Sequence, residues 1–394
     1  MRQGVCGDDL ELADAVARFA ASELAPHAAA IDDQQASVTR HIPKLGALGL
    51  MGMNLPEQWG GAGVSAAGLL LSLVEVAKAC AATSSMIGAH YLGTDALLIG
   101  GNDEQRARYL PAAARGELLG AFALTEPGGG SNPAEMKTTA VRHGAGYRLR
   151  GSKQFISNAG EAGFIVVYAK TDAGASSRSV SAFVVDRAAP GVDIGPPEKL
   201  MGIRGAHAFG VRLDCEVPEE RRLGDEGSGF RMAMRVLDNG RVDVAATALG
   251  IAEAALSAAV AWAKERHIDG APLATKQGIQ WMIAESTIEL YQCKLMVLHS
   301  AYKIDRKEDF KSEVSMTKHF VANALNRIID RAIQVHGALG YSKDTPLADM
   351  FLHARWARFA DGADEIHLMR TAERAISAFR DTGSTAAATG SLPL

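Results

Sequence analysis

The sequence predicts a mostly α-helical protein with a central β domain. From Leu10 to about Gly116, apolar residues recur at intervals of three and four, as on one face of an amphipathic helix. After Leu118 the chain changes to short β-branched segments separated by Gly, Pro and Asp, a pattern typical of a small antiparallel barrel or sandwich. Long helical patterns return at Gly229. These changes predict three domains, at residues 1–117, 118–228 and 229–394.

Local patterns predict the individual elements in order. Ser65 to Cys80 is rich in Ala and Leu and predicts a helix of the first domain. The predicted strands of the middle domain are Gly146 to Ser152, Phe164 to Thr171, Val180 to Asp186 and Val211 to Val217. The predicted helices of the last domain are Phe230 to His267, Lys276 to Tyr302, Lys311 to His336, Pro346 to Arg358 and Ala363 to Arg380.

Composition is that of an ordinary soluble globular protein. The 394 residues include 41 Lys and Arg against 45 Asp and Glu, which gives a net charge of −4. A nucleic-acid binder would show a basic excess instead. The longest apolar run, Ala245 to Ala263, contains Glu253 and predicts a buried helix, not a membrane span. We therefore expect neither a nucleic-acid partner nor membrane insertion.

The cysteines and the N-terminus indicate a cytoplasmic location. The four cysteines are scattered, with no CxxC spacing and no His nearby at ligand spacing. Neither a disulfide framework nor a metal site is therefore expected, and a reducing compartment fits. Asp8, Asp9 and Glu11 stand where a signal peptide would be apolar.

A glycine-rich segment, Ala121 to Asn132, is the first candidate for ligand binding. Three consecutive glycines, Gly128 to Gly130, lie between Thr125 and Ser131. Glycines in such a run allow backbone N–H groups to approach a flat or anionic ligand closely. Taken by itself, the segment is also consistent with a flexible surface turn.

A second candidate is the segment Lys153 to Ala159. It alternates along a predicted strand and presents an aromatic ring at Phe155 and a hydroxyl at Ser157. For the heptapeptide alone, a strand with an inward-facing Phe explains the same residues.

Three further segments place polar residues near predicted helix ends. Leu237 to Arg241 combines an Asp and an Arg at the start of a long helix. Lys264 to Gln277 contains Arg266, whose guanidinium would suit a pyrophosphate, although an Arg beside a Glu is more often a solvated helix face. Gln334 to Tyr341 contains His336, which packing or capping at a helix end explains better than catalysis.

The last candidate is the turn Ala360 to His367. Asp361 followed by Asp364 is typical of an N-cap with a variant capping box that opens the final helix. Asp361 is also a carboxylate that a catalytic site would use as a base. Both hypotheses follow from the residues, and the two roles are compatible.

Together, these six segments resemble, in order and in spacing, the motifs of the FAD-dependent acyl-CoA dehydrogenase family along essentially the whole chain. The resemblance implies an N-terminal helical domain, a small β-barrel and a C-terminal four-helix bundle. It also implies FAD as the cofactor. The residues implied to bind FAD are Phe122, Leu124, Thr125, Ser131, Phe155, Ile156, Ser157, Arg266, Ile268, Gln277, Gln334, Val335, Gly337, Ala338, Ala363 and Glu365.

The same resemblance implies the reaction. An acyl-CoA thioester would be bound by Ser131, Asp238, Arg241 and Gly362, and Asp361 would take its α-proton while the β-hydride passes to flavin N5. Hydrogen bonds to the thioester oxygen would stabilise the developing enolate. The resemblance further implies an electron-transfer flavoprotein as acceptor. It also implies a homotetramer in which Arg266, Gln277 and the Gln334 to Ala338 turn serve a neighbour's FAD.

Departures from the family pattern keep other hypotheses open. The commonest members have Glu where this chain has Asp361, and some carry their base at the position of Gly240, which has no side chain. The turn instead is similar to a subgroup with the sequence Ala-Asp-Gly-Pro-Asp-Glu-Val-His. The alternatives are a nitroalkane-oxidase-like enzyme, an oxidase of carrier-protein-tethered acyl groups, and a flavin-binding scaffold without chemistry.

Overall fold

The structure, a computed structural model, describes residues 5–34, 36–172, 176–385 and 388. The outermost residues of the predicted first and third domains, 1–4 and 389–394, lie outside this range. The first region is helical, as predicted. Its helices are α1 (Gly7–Phe19), α2 (Ala28–Asp32), α3 (Ile42–Ala47), α4 (Ala66–Ala79), α5 (Ala81–Gly100) and α6 (Asp103–Ala114).

The middle region is a mixed β-sheet. Its strands are β1 (Gly120–Ala123), β2 (Thr139–His143), β3 (Gly146–Ser157), β4 (Phe164–Lys170), β5 (Val180–Asp186), β6 (Val192–Pro197), β7 (Ala208–Pro218) and β8 (Arg222–Leu223). The strand order is β6-β7-β3-β2-β4-β5-β8, and β1 pairs with β4 in parallel. Alternate residues of β4 pack on opposite sides of the sheet, since Phe164, Val166 and Tyr168 join one apolar cluster while Ile165 and Val167 join another.

The sheet is open, so the expectation of a closed barrel was wrong. The terminal strands β6 and β8 do not pair with each other in the described chain. The junction between β2 and β4 is a single residue pair, Thr139 with Lys170.

The last region returns to helices close to the predicted bounds. After β8 come α7 (Gly229–Glu265), the hairpin of β9 (His267–Ile268) and β10 (Ala271–Pro272), α8 (Gln277–Asp305), α9 (Lys311–His336), α10 (Leu347–Trp356) and α11 (Asp364–Thr382). By length and composition α7 could cross a membrane, but 61% of its most apolar window is buried inside this fold, as in the core helix of a globular protein.

The largest apolar cluster joins the first and last helical regions. Side chains of α4 such as Leu73 and Val74 share this cluster with Leu249 and Ile251 of α7. Gly250 allows the close approach, because a Cβ at this position would collide with the backbone oxygen of Val74. The two helical regions therefore form one core, against which the sheet packs through α5.

Candidate active site

Helix α5 brings the sheet and the helical core together. A Cβ at Gly93 would lie 3.1 Å from the backbone nitrogen of Ala121, so glycine is needed where β1 crosses this helix. His90 accepts the Gly120 N–H through Nδ1 at 2.9 Å, and its Nε2 therefore carries the proton donated to the Met51 oxygen at 3.1 Å. Asn158, after β3, donates to the oxygens of Met86 and Gly120. The strands β1 and β3 are thus fixed on α5.

The ends of these two strands form an open surface with an exposed aromatic ring. The Gln154 N–H donates to the Thr125 oxygen at 3.0 Å, and the register of β3 shifts between Lys153 and Ile156. Inside this irregular stretch Phe155 has a φ of 58°, a left-handed conformation that is uncommon for a residue with a side chain. Its ring is 54% exposed, which is unusual for Phe in a folded domain. The bulge therefore presents the ring outward.

A buried ion pair supports this surface from behind, and no local motif predicted it. Lys153 Nζ lies 2.9 Å from Glu126 Oε1 and 3.1 Å from the Leu124 oxygen. Glu126 also accepts the N–H groups of Lys137 and Thr138. Burial lowers the pKa of Lys153 to about 8, although the neighbouring carboxylate opposes the shift. The pair ties the start of the glycine-rich segment to β3.

The residues at this surface fit a flat ring with hydrogen-bond acceptors, such as the isoalloxazine of FAD. The hydroxyls of Thr125 and Ser157 form no hydrogen bond within the described chain, so both are free for a ligand. A Cβ at Gly128 or Gly129 would meet nothing within 4 Å, so the loop borders open space. The side chains of Leu124 and Ile156 are buried in the core, and their predicted contacts with the cofactor would come from the backbone. Phe122 is half-buried against the ring of Tyr168, and Ser131 is exposed.

The turn that carries Asp361 is held by two cations that lie on other helices. Asp361 and Gly362 have φ angles of 51° and 121°. Arg241 Nε donates to the Asp361 oxygen at 3.1 Å, and Lys318 Nζ donates to the Gly362 oxygen at 2.6 Å. A Cβ at Gly362 would lie 3.0 Å from Nε2 of the buried His367, so this position requires glycine. Sequence reasoning missed Lys318, which lies in mid-helix without a motif.

The Asp361 carboxylate occupies the space beside Gly240. A Cβ at Gly240 would collide with Asp361 Oδ2 and with the side chain of Leu92. The carboxylate accepts no hydrogen bond from the described residues. Withdrawal from bulk water raises the pKa of Asp361 to about 6, while the nearby cations Arg241 and Lys318 limit the increase. Asp361 is therefore a carboxylate without a hydrogen-bond partner in the described chain, and its pKa lies closer to neutral pH than that of an ordinary Asp.

The structure contradicts the helix-cap hypothesis for Asp361. Helix α11 begins at Asp364, its N-cap residue is Ala363, and no side chain caps it. The Asp364 carboxylate instead accepts hydrogen bonds from Arg358 at 2.7 Å and Asn323 at 3.0 Å, and so holds the chain that enters the turn. The capping pattern was misleading because the left-handed Asp361 lies too far ahead of the first helical residue.

Asp238 and Arg241 form an ion pair with each other, with only 8% and 3% of their side chains exposed. Burial raises the pKa of Asp238 and lowers that of Arg241, and in each case the partner opposes the shift. The contact that the structure shows is with the turn, through the bond from Arg241 to Asp361. Their contact with the pantetheine arm stays a prediction.

Two further carboxylates, which the sequence analysis missed, lie beside the Asp361 turn. Asp95 of α5 accepts amide hydrogen bonds from Asn54 at 2.7 Å and Asn239 at 2.8 Å. Burial raises the pKa of Asp95 to about 6. Asp243 of α7 is 8% exposed, and burial raises its pKa well above the usual range, with Asp95 and Asp361 adding to the effect. The only signal for Asp243 in the sequence was its position as an isolated charged residue among apolar residues after Arg241.

The remaining predicted cofactor residues lie at another place, around the far ends of α7 and α9. Trp262 stacks on His336 at 5.3 Å between ring centroids, which brings the β9–β10 hairpin next to the turn after α9. His336 also bonds the Ala332 oxygen at 2.8 Å, in agreement with a packing role. Val335 is buried. The residues exposed at this end are Arg266, Ile268, Gln277, Gln334, Gly337 and Ala338.

Of the other predicted residues at the Asp361 turn, Ala363 is half-buried and Glu365 is exposed. Among the described residues, no group of three or more His, Cys, Asp or Glu side chains is arranged to hold a metal ion. The described residues therefore provide a surface for a flat cofactor, an unpartnered carboxylate beside α7, and a separate exposed cluster at the other end of α7.

Comparison with known proteins identifies the relatives of this chain. Three family models match, described as the N-terminal, middle and C-terminal domains of acyl-CoA dehydrogenase, over residues 7–117, 121–215 and 227–376. An acyl-CoA dehydrogenase of Bacillus subtilis is 38% identical over 350 residues, which cover 88% of this chain and 92% of the relative.

Two solved structures show the same fold. The butyryl-CoA dehydrogenase of Megasphaera elsdenii superposes with a TM-score of 0.92 at 31% identity, over 95% of this chain and 99% of that chain. The prolyl acyl carrier protein oxidase AnaB superposes with a TM-score of 0.91 at 26% identity, over 94% of this chain and 99% of that chain.

Proposed function

Because this chain belongs to the acyl-CoA dehydrogenase family, and is therefore an FAD-dependent oxidoreductase of acyl-CoA thioesters, we propose that Asp361 is the base that takes the α-proton of its substrate. The position of the Asp361 carboxylate beside Gly240 is the observation that carries this proposal. Family members place their base either at the turn or at the helix position that matches Gly240. In this structure a carboxylate attached at either position reaches the same space.

The environment of Asp361 suits a base. Its carboxylate has no partner to displace, and a pKa near 6 keeps it ionised at neutral pH while it still attracts a proton. Arg241 and Lys318 bond the backbone of the turn, not the carboxylate, so they hold Asp361 in place without neutralising it. The side chain remains available for the substrate.

The same turn offers a donor for the thioester oxygen. The Asp361 N–H donates to no acceptor within the described chain. A free N–H beside the base is placed to stabilise negative charge that develops on the carbonyl oxygen as the α-proton leaves. Thr125, Phe155 and Ser157 would hold FAD, which when bound would supply the acceptor for the β-hydride.

Reduction of the flavin by substrate tests the proposal directly. Purified holoenzyme would be mixed without oxygen with saturated acyl-CoA thioesters of increasing chain length, and its flavin absorbance followed. We expect at least one member to bleach the flavin in the wild type and to leave the Asp361→Asn flavin oxidised. A panel that bleaches neither protein, or bleaches both equally fast, would refute the assignment of Asp361.

A second candidate function is oxidation of an acyl group tethered to a carrier protein. The similarity to a prolyl acyl carrier protein oxidase favours it, since that structure covers nearly the whole fold. The two functions differ in what carries the pantetheine arm. The same acyl group presented on CoA and on a carrier domain would decide between them, because the preferred carrier should reduce the flavin at the lower concentration.

We also propose a homotetramer, supported by an apolar face on α8 that the single chain leaves open. Leu290, Cys293 and Val297 bury one side of this helix. The other side exposes large apolar residues at intervals of seven, three, four and seven, which matches a helix-packing seam. These residues are Trp281, Ile288, Tyr291, Leu295 and Tyr302. Leu368, Ile376 and Phe379 expose a comparable face on α11.

Light scattering tests the assembly. The wild type should have a mass close to four chains, and Leu295→Glu should reduce it by placing a charge in the seam. Gln292→Glu is the matched control, because Gln292 is exposed on α8 but lies off the apolar line. A wild-type monomer at micromolar concentration that still holds a full complement of FAD would contradict the proposal.

An electron-transfer flavoprotein as acceptor and a cytoplasmic location remain proposals that rest on the family resemblance and on the free cysteines. Reduced enzyme that passes electrons to a purified electron-transfer flavoprotein faster than to dioxygen would support the first proposal.

A further inference from the structure

Asp243 is a buried carboxyl group without a partner beside the catalytic base. It lies on α7 and is 8% exposed. It takes part in no hydrogen bond or ion pair within the described chain. Its oxygens have no hydrogen-bond partner there, yet they are not fully enclosed, so the carboxyl group keeps some contact with solvent. A group of this kind costs free energy unless something pairs with it.

Asp243 shares one face of α7 with Gly240, the residue beside which the base lies. Residues three apart on a helix are neighbours, with their Cβ atoms about 5–6 Å apart, so Asp243 lies one turn from Gly240. The Asp361 carboxylate fills the space beside Gly240. Across from Asp243 is Gly88 of α5, where a Cβ would lie 3.8 Å from the Asp243 Cβ. Because Gly88 and Gly240 have no side chains, the space between α5 and α7 at this level is bordered by the side chains of Asp243, Asp361 and Leu92.

The charge in this space is negative. Asp95 and Asp361 both interact electrostatically with Asp243, and so does the Tyr91 hydroxyl. Arg241, the nearest guanidinium on α7, is committed to Asp238 and to the Asp361 backbone. Lys318 is committed to Gly362. Within the described residues the three carboxylates are not arranged to share a metal ion.

We propose that Asp243 binds a protonated nitrogen on the acyl group of the substrate, so that the preferred substrate is a β- or γ-aminoacyl thioester. This inference rests on the proposed function, since it takes Asp361 as the base at the α-carbon. A nitrogen on the β-carbon, or one bond beyond it, matches the single helical turn between the two carboxylates. The cation would pair with Asp243 while the α-hydrogen faces Asp361.

The proton affinity of Asp243 agrees with this role. Burial and the neighbouring carboxylates raise the pKa of Asp243. An ammonium group beside it favours the ionised carboxylate and lowers this pKa. Between the pKa of the empty site and the lower pKa of the occupied site, binding of a cationic substrate should therefore release protons to the buffer, whereas binding of a neutral one should not.

Two thioesters of equal shape test the proposal: β-alanyl-CoA, which ends in an ammonium, and butyryl-CoA, which ends in a methyl group. Titration calorimetry on the Asp361→Asn holoenzyme avoids turnover. We expect β-alanyl-CoA to bind at least tenfold more tightly, and the observed heat to vary between buffers of different ionisation enthalpy. Adding Asp243→Asn, which keeps the shape of the side chain, should abolish the preference and the buffer dependence.

Glu253→Gln is the matched control, because Glu253 is a carboxylate on α7 that pairs with Lys78 and Lys294 away from this space. It should preserve the tenfold preference. Equal or tighter binding of butyryl-CoA to the Asp361→Asn enzyme, or a preference that survives Asp243→Asn, would overturn the inference. Reduction of the wild-type flavin by butyryl-CoA is measured separately, so this inference can fail while the proposed function stands.

Discussion

The Asp361 turn and the exposed end of α7 and α9 differ in how far one chain completes them. At the turn, Arg241 and Lys318 satisfy the backbone oxygens of residues 361 and 362, and Asp364 is bound by Arg358 and Asn323. At the other end, Arg266 is exposed and its side chain has no partner in the described chain. Gln277 and Gln334 are exposed as well.

This difference marks the exposed end as the place that a second chain would complete in the proposed tetramer. Buried polar groups in a folded chain are almost always paired. At the turn the backbone oxygens of residues 361 and 362 follow this rule, whereas Oδ1 of Asp364 and both ring nitrogens of His367 are buried without a hydrogen-bond partner in the described chain. The exposed end has donors suited to phosphate and amide recognition but nothing to bind within its own chain. We infer that catalysis depends on the fold of one chain, whereas full affinity for FAD depends on assembly.

The largest expected effect is that of removing the Asp361 carboxylate, which should change the rate of flavin reduction and not the binding of FAD. Asp361→Asn should slow flavin reduction by roughly 10²–10⁴-fold, the usual contribution of a general base, because the amide cannot accept the α-proton. FAD content should not change, since the carboxylate bonds no other residue. Anaerobic stopped-flow absorbance measures the rate.

Glu373→Gln, an exposed change on the same final helix, is the control and should reduce its flavin at the wild-type rate. Loss of FAD from the Asp361→Asn enzyme would show instead that the turn is part of the cofactor site.

Exchanging the base between its two positions tests the geometry of the turn. In the double variant Asp361→Gly with Gly240→Glu, the carboxylate reaches the same space from α7, so activity should return in part. We expect a rate on the order of a hundredfold below wild type, the cost of a displacement near 1 Å, but above the rate of Asp361→Gly alone. A double variant that binds FAD and is no faster than Asp361→Gly would mean that the two positions do not converge.

Arg266→Met tests the other region. If the guanidinium binds the FAD pyrophosphate of a neighbour, its loss removes about 1.5–3 kcal/mol of charged hydrogen bonding, or roughly ten- to a hundredfold in FAD affinity. Fluorescence titration of the apoprotein with FAD measures the change, and saturating FAD should restore the rate of flavin reduction.

Arg231→Met, an exposed arginine at the start of α7, is the matched control. Unchanged FAD affinity in the Arg266→Met protein would remove Arg266 from the cofactor site.

The smallest expected effect concerns pH. Asp361 must be ionised to act as a base, so kcat/KM should rise with pH and level off above about 6. Lys318 lowers the pKa of Asp361, and Lys318→Met should therefore move this rise to higher pH. The pH profile distinguishes this electrostatic role from simple damage to the turn, which would lower the rate equally at every pH.

Lys307→Met, at the exposed end of α8, is the control and should leave the profile in place. A profile that does not move in Lys318→Met would limit Lys318 to holding the Gly362 oxygen.

The sequence by itself determined the helical and β regions, the family and the position of Asp361 in a turn. The spacing of apolar residues in α7 and α9 reflects which helix face is buried, and this spacing can be read from a short stretch of sequence. The helix cap shows the limit of local patterns, since Asp361 and Asp364 have the right spacing for a cap, yet contacts with Arg241, Lys318 and Arg358 decide the backbone.

Only the tertiary structure decided what surrounds the base. Lys318 and Asp243 belong to no local motif, and their importance arises because α5, α7 and α9 bring residues far apart in sequence to one place. The open sheet was likewise decided by pairing between distant strands, where β2 and β4 meet at a single residue pair. The pKa of a side chain and the closure of a sheet depend on residues that are close in space, and the order of residue types along the chain does not show which residues those are.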